Sequence, residues 1–186
     1  MIEIKKIFND VYKIDQLYHK DDRGYFAEIY KDQRLIESGI SNSFIQDNIS
    51  FSKNKNTIRG LHFQSSPNEQ SKYITVIKGS IWDVFVDLRK DSETYQEFGF
   101  IELLEGQSSL LIPKGFAHGF CTLESNTLVM YKVDNIYSKE HEMGLRWDDP
   151  FFDIPWPIDS HEIFISDKDR ELPFFESLNY DWYSAR

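Results

Sequence analysis

The chain holds a single cysteine, Cys121, among its 186 residues, which excludes an internal disulfide and suits a reducing compartment. Cys121 lies in the apolar run Gly-Phe-Cys-Thr-Leu and reads as a small core residue rather than a nucleophile. Long hydrophobic runs are also missing. No stretch approaches the roughly 18 apolar residues of a membrane span, and the opening Met-Ile-Glu-Ile-Lys-Lys is too charged for the apolar core of a signal peptide. A cytoplasmic protein with no membrane partner is expected. Positive charge is scarce: 21 Lys and Arg against 31 Asp and Glu leave a net charge of −10. That disfavours non-specific binding to nucleic acid or anionic lipid, which needs a basic surface. It leaves room for a phosphorylated small molecule, because a diphosphate needs only two or three local cations. Arg23, Arg59 and Lys72 are candidates, though each taken alone reads as a solvated charge. The nine glycines and six prolines do not gather into a linker, and no repeat or low-complexity tract appears. One domain spanning 1–186 is expected.

What is present is core-forming. The chain is 40% hydrophobic and 16% aromatic, which favours a packed globule. Tyr73 to Ile77 and Ile81 to Leu88 are rich in β-branched and aromatic residues, and Lys-Gly-Ser between them reads as a hairpin turn. Phe98 to Leu104, Ser109 to Ile112 and Thr127 to Val133 continue the pattern, with turn signals between them. Helix signals are confined to Asp32 to Ser38 and a short piece after Asp167, and Asp149 to Ile158 reads as an irregular crossing loop. Short strands at such spacing predict an all-β protein, an antiparallel jelly-roll barrel or sandwich with a few short helices.

Alternation assigns faces. His62 shares its face with Gly60 and Gln64, and Tyr131 with Val129 and Val133. Asp83 shares one with Ile81 and Phe85. An unpaired carboxylate there is costly, so it either meets a polar partner in the interior or lies on a wet outer face. Plain alternation puts Arg59 opposite His62, so both can reach one ligand only if the strand twists, bulges or ends nearby.

Several motifs are spread along the chain: Arg59-Gly60-Leu61-His62-Phe63-Gln64, Gln70-Ser71-Lys72-Tyr73, Pro113 to Phe120, Tyr131-Lys132 and Ser166-Asp167-Lys168-Asp169. Asp22-Arg23-Gly24-Tyr25-Phe26 and Phe44-Ile45-Gln46-Asp47-Asn48 precede them. In this order and at these separations the set resembles the dTDP-4-dehydrorhamnose 3,5-epimerase family of cupin-fold sugar epimerases, over nearly the whole chain. The resemblance implies a nucleotide-diphosphate 4-keto sugar as substrate, no cofactor, and inversion at C3, C5 or both. It implies His62 as base with Asp169 as its partner, Tyr131 as acid and Lys72 as enolate stabiliser. Supporting contacts are implied from Arg23, Phe26, Glu28, Gln46, Asn48, Arg59 and His118. A homodimer is implied as well, with the amino-terminal strand that carries Arg23 exchanged between subunits. The pathway so implied supplies deoxysugars for lipopolysaccharide, capsule or another surface glycan.

These residue types suit the chemistry. A histidine, with an ordinary pKa of about 6.5, is an effective base near neutral pH, and a tyrosine, about 10, stays protonated as a donor. A lysine ammonium supplies the electrostatic stabilisation an enolate needs. One position departs from the family pattern: two adjacent aromatics are usual where Ile136-Tyr137 stands here. If that loop lines the pocket, the substrate can differ from the usual thymidine diphosphate sugar. Two rivals stay open at this point. A metal-dependent cupin could draw two histidines and a carboxylate from His62, His118 and Asp83, although Gln64 stands where a second histidine of the usual pair would be. A carbohydrate-binding barrel without catalysis would keep the arginine and aromatic contacts alone.

Overall fold

The computed structural model describes residues 3–158 and 162–178. Two antiparallel sheets form the body of a cupin-type jelly roll. In the six-stranded sheet, β1 (Ile4–Phe8), β2 (Val11–Asp15), β10 (Ser108–Ile112), β7 (Lys72–Lys78), β12 (Thr127–Val133) and β5 (Gln46–Ser52) lie in that order. In the five-stranded sheet the order is β13 (Glu142–Gly144), β6 (Ile58–Gln64), β11 (Phe116–Thr122), β8 (Ser80–Asp87) and β9 (Phe98–Leu104). A separate ribbon pairs β3 (Tyr18–Asp21) with β4 (Gly24–Ala27). The helices are α1 (Asp32–Glu37) and α2 (Asp167–Arg170), where the sequence places them. No helix among the described residues is long and apolar enough to cross a membrane.

Period-two alternation sorts the side chains into three apolar layers. Between the sheets lie Ile74, Val76, Ile81, Phe85, Leu110, Phe116, Phe120 and Val129. Behind the five-stranded sheet, Leu61, Phe63, Val84, Val86 and Ala117 pack against Phe152, Ile154 and Phe175 of the later chain. Behind the six-stranded sheet, Tyr73 and Leu111 are covered by Leu35 of α1 and Ile40. The middle of the five-stranded sheet is therefore buried on both faces, and every residue of β11 is buried, Cys121 among them.

The expected hairpin between β7 and β8 is not formed, because the two strands belong to different sheets. Gly79 takes φ +82° at the corner, and a Cβ there would meet Thr127 at 2.6 Å. The Lys-Gly-Ser turn thus carries the chain from one sheet to the other instead of reversing it within one. The sequence signal marked a tight turn correctly, but a turn signal does not specify the sheet of the next strand.

Of the twist, bulge or strand end by which Arg59 could reach the side of His62, the structure shows a bulge. Along β11, His118 and Phe120 are two residues apart, yet their partners on β6, His62 and Arg59, are three apart. The extra residue turns Arg59 onto the side of His62. It fits because two glycines meet there: a Cβ on Gly60 would lie 2.7 Å from Gly119 Cα, and one on Gly119 would lie 2.7 Å from the Arg59 carbonyl. Gly60 also takes φ +115°, a region that only glycine enters readily. Gly119→Ala, which pushes backbone against backbone, is expected to cost about 1–3 kcal/mol of stability. Urea unfolding measures it, and an unchanged midpoint would contradict the packing described.

Candidate active site

At one end of the inter-sheet core, polar side chains replace apolar ones around a cavity of ≈ 370 Å³. The five-stranded sheet contributes Arg59, His62 and Gln64 from β6 and His118 and Phe120 from β11. The six-stranded sheet contributes Ser50, Lys72, Ile74, Val129 and Tyr131. Asp169 enters from α2.

His62 Nε2 lies 2.8 Å from Asp169 Oδ1. The other carboxylate oxygen accepts the Gly60 N–H of the bulge at 3.1 Å. Burial works to raise the Asp169 pKa, but the His62 ring, the Gly60 N–H and the Ser166 hydroxyl outweigh it and leave the group below its ordinary value. An ionised carboxylate only accepts hydrogen bonds, so the His62 proton belongs on Nε2 and the lone pair on Nδ1. Nδ1 makes no hydrogen bond within the described residues and is available as a base.

Asp169 is far from His62 in sequence, and several ties hold its segment in place. Ser166 caps α2 by accepting the Asp169 N–H at 3.1 Å. The Ile58 N–H donates to the Phe164 carbonyl, and the Phe164 N–H to that of Asn56. Farther on, the Phe175 N–H donates to the buried Asp149 carboxylate at 2.6 Å.

Tyr131 faces the cavity from β12, on the opposite sheet. Burial raises its pKa and the Arg59 charge partly offsets this, so the phenol is protonated at neutral pH. Its hydroxyl makes no hydrogen bond within the described residues. Lys72 is buried at the cavity floor and donates to the His62 carbonyl at 3.3 Å. Burial lowers its pKa from 10.5 to about 8, while the charges of Asp83 and Asp134 pull it back up. His118 Nε2 sits 3.0 and 2.9 Å from the two oxygens of Asp83, the interior polar partner that this carboxylate required.

Six of the sequence-predicted residues thus line one cavity: His62, Tyr131, Asp169, Lys72, Arg59 and His118. Five do not. Gln46 and Asn48 share the cavity-side face of β5 with Ser50 but lie beyond the lining, Gln46 donating to Asn48 at 2.8 Å. Arg23 and Phe26 stand on the β3–β4 ribbon, Arg23 with its side chain 90% exposed and paired with Asp21, and Phe26 69% exposed. Glu28 pairs with Arg34 at 2.6 Å.

Of the other lining residues, Glu142 drew no notice in the sequence, and Tyr137 was marked only by the departure from the family pattern. Tyr137 donates to Glu142 at 2.9 Å, and Glu142 pairs with Lys168 at 2.6 Å. The departure at Ile136-Tyr137 was the one available signal. Tyr137 does line the cavity, while Ile136 is 66% exposed. Among the described residues no three His, Cys, Asp or Glu side chains are grouped to hold a metal. His62, His118 and Asp83 do not form the two-histidine, one-carboxylate set; each imidazole Nε2 engages its own carboxylate.

A family model described as dTDP-4-dehydrorhamnose 3,5-epimerase matches residues 5–177. The chain belongs to the dTDP-4-dehydrorhamnose 3,5-epimerase family. It is an isomerase of the epimerase class. The Methanothermobacter thermautotrophicus dTDP-4-dehydrorhamnose 3,5-epimerase is 41% identical over 90% of this chain and 90% of its own. The Salmonella typhimurium enzyme is 40% identical over 95% and 96%. Among solved structures, the Bacillus anthracis epimerase with TDP and PPi bound shows 46% identity and a TM-score of 0.89, covering 94% of this chain and 99% of that one. The Legionella pneumophila epimerase in complex with dTDP-4-keto-L-rhamnose shows 32% identity and a TM-score of 0.91 over the full length of both.

The two hydrogen bonds to Asp169 generate a test. An asparagine puts an NH2 donor in place of one carboxylate oxygen, so either the His62 Nε2–H or the Gly60 N–H then faces another donor. Asp169→Asn is expected to lower turnover by about 10²- to 10⁴-fold with the fold retained. Steady-state kinetics and circular dichroism check this, and wild-type turnover would remove the pairing.

Proposed function

We propose that this epimerase acts on a nucleotide-linked 4-keto-6-deoxy sugar and inverts the carbons on either side of the ketone. The substrate is dTDP-4-dehydro-6-deoxy-D-glucose and the product dTDP-4-dehydro-L-rhamnose. One observation carries the mechanism: His62 and Tyr131 approach a single cavity from opposite sheets, with the Lys72 ammonium at the floor. The ligands named for the Bacillus and Legionella relatives support the substrate class.

His62 Nδ1 removes the proton from carbon beside the ketone, and the Asp169 carboxylate stabilises the imidazolium that results. The bond electrons move onto the ketone oxygen as an enolate, which Lys72 holds by charge and hydrogen bonding. Tyr131 then delivers its proton to the same carbon from the opposite face. The Arg59 charge favours the transient phenolate; the His62 imidazolium then releases its proton to solvent, and the Tyr131 phenolate takes one up. The same groups serve C3 and C5 in turn as the sugar shifts in the cavity.

Arg23, Phe26 and Glu28 take part in this reading through a second copy of the chain. They stand on or beside a ribbon paired with neither sheet and lie outside their own chain's cavity. A homodimer that exchanges the amino-terminal segment would bring them to the partner's site.

Proton NMR in deuterated water tests the assignment. His62→Ala should abolish solvent exchange at every inverted carbon. Tyr131→Phe should still wash deuterium into at least one position, while inverted product forms about 10²- to 10⁴-fold more slowly. Unchanged inversion in Tyr131→Phe would assign the proton to another group. Turnover should also survive exhaustive chelation; loss, followed by recovery with one divalent ion, would promote a metal mechanism.

A further inference from the structure

Gln64 has no step in this scheme, yet it is held as firmly as the groups that do. It shares a face of β6 with His62, lines the cavity and is only 6% exposed. Its Oε1 accepts the Ser138 N–H at 2.9 Å. That bond decides which way the amide points, because a flipped amide would set its NH2 against another donor. The loop before Ser138 is itself tied down from the other side. Gln70 donates to the Asn135 carbonyl at 2.8 Å, Asn68 to that of Ile136 at 3.1 Å, and Asn135 to that of Pro67 at 3.1 Å.

The other end of the amide is Nε2. It makes no hydrogen bond within the described residues, and it is not among the polar atoms that the protein seals off without a partner. It is therefore open to the cavity that Gln64 lines. A donor on so enclosed a side chain is unfavourable if nothing accepts from it. Its neighbours narrow the choice of acceptor. His62 is the next side chain on the same strand face, about 7 Å away at the usual spacing of alternate residues. Lys72 reaches the His62 carbonyl from the opposite sheet. Glu142, across the ladder from Gln64, is already engaged by Tyr137 and Lys168. What remains for the amide is an atom of the bound molecule, close to the reacting groups. A neutral NH2 suits a neutral oxygen, whereas a phosphate or an enolate is better answered by a cation.

We propose that Gln64 is a specificity-determining residue of the epimerase: its amide, clamped by the Ser138 N–H, donates from Nε2 to a hydroxyl oxygen of the bound sugar. The assignment rests on the reading of this cavity as the place of the sugar. A fixed donor of this kind discriminates against a ligand that offers no acceptor, because the amide is then left buried and unpaired. It also ties sugar recognition to the Ile136-Tyr137 loop, since one side chain meets the loop with its oxygen and the sugar with its nitrogen.

Two substitutions separate the clamp from the donor. Gln64→Glu keeps an oxygen for the Ser138 N–H and turns the donor into an acceptor; Gln64→Met keeps the length and removes both. Calorimetric titration with TDP and with the unreactive dTDP-glucose reads sugar binding apart from nucleotide binding. Both variants should hold TDP within about twofold of the wild type and bind dTDP-glucose about tenfold or more weakly. The kcat/KM for the 4-keto sugar should fall by at least the same factor. Wild-type affinity of Q64E for dTDP-glucose overturns the proposal, whatever Q64M does, because the clamp would then be the whole role. An equal loss for TDP also overturns it, since the contact would then be to the nucleotide. If Q64M does not fold, Q64E decides alone. A wild-type enzyme that leaves the dTDP-4-keto sugar unchanged brings down the substrate reading and this proposal with it. Normal wild-type turnover beside an unaltered Q64E confines the failure to Gln64.

Discussion

The site depends on a contact with no side chains in it. Gly60 and Gly119 bring the backbones of β6 and β11 so close that neither position has room for a Cβ. That approach permits the bulge, and the bulge does two things together. It turns Arg59 to the side of His62, and it frees the Gly60 N–H from the ladder to bind Asp169. The carboxylate that orients His62 is thus itself oriented by the irregularity that assembles the site.

Around this contact the two sheets divide the chemistry. In the proposed mechanism the base, His62, arises from the five-stranded sheet, and the acid, Tyr131, and Lys72 from the six-stranded one. The distance between a proton's departure and its return is set by the spacing of packed sheets rather than by a mobile loop. Rigid strands hold reacting groups more accurately than loops do. Buried polar groups in a low-dielectric setting must each be answered by another. Asp83 with His118 is one such set, and His62 with Asp169 another.

Much of this was legible in the sequence, for definite reasons. Strands such as β9 and β12 were bounded by turn residues and read almost to the residue. Asp83 stood out because a carboxylate in Ile-Trp-Asp-Val-Phe-Val needs a partner, and it has one in His118. Arg59 and His62 could reach one ligand only if the strand twisted, bulged or ended nearby, and it is bulged. What was not legible has physical causes too. β11 is buried on both faces, which erases the alternation that reveals a strand. A tight turn at Gly79 does not announce which sheet follows it. Glu142 and Lys168 meet only through folding, since neither lies in an apolar run that would make its charge conspicuous.

The path of Asp169 has a consequence for how the protein is made. His62, Lys72, His118 and Tyr131 all precede residue 132, and so does almost every strand of the two sheets. A chain emerging from the ribosome can pair those strands while α2 is still unsynthesised. At that stage the cavity has its lysine, its tyrosine and an imidazole with nothing to orient it. The closing segment then lays Phe164 beside Thr57, sets Asp169 on the bulge and anchors Phe175 to Asp149. That one segment therefore completes both the apolar cover of the five-stranded sheet and the His62–Asp169 pair.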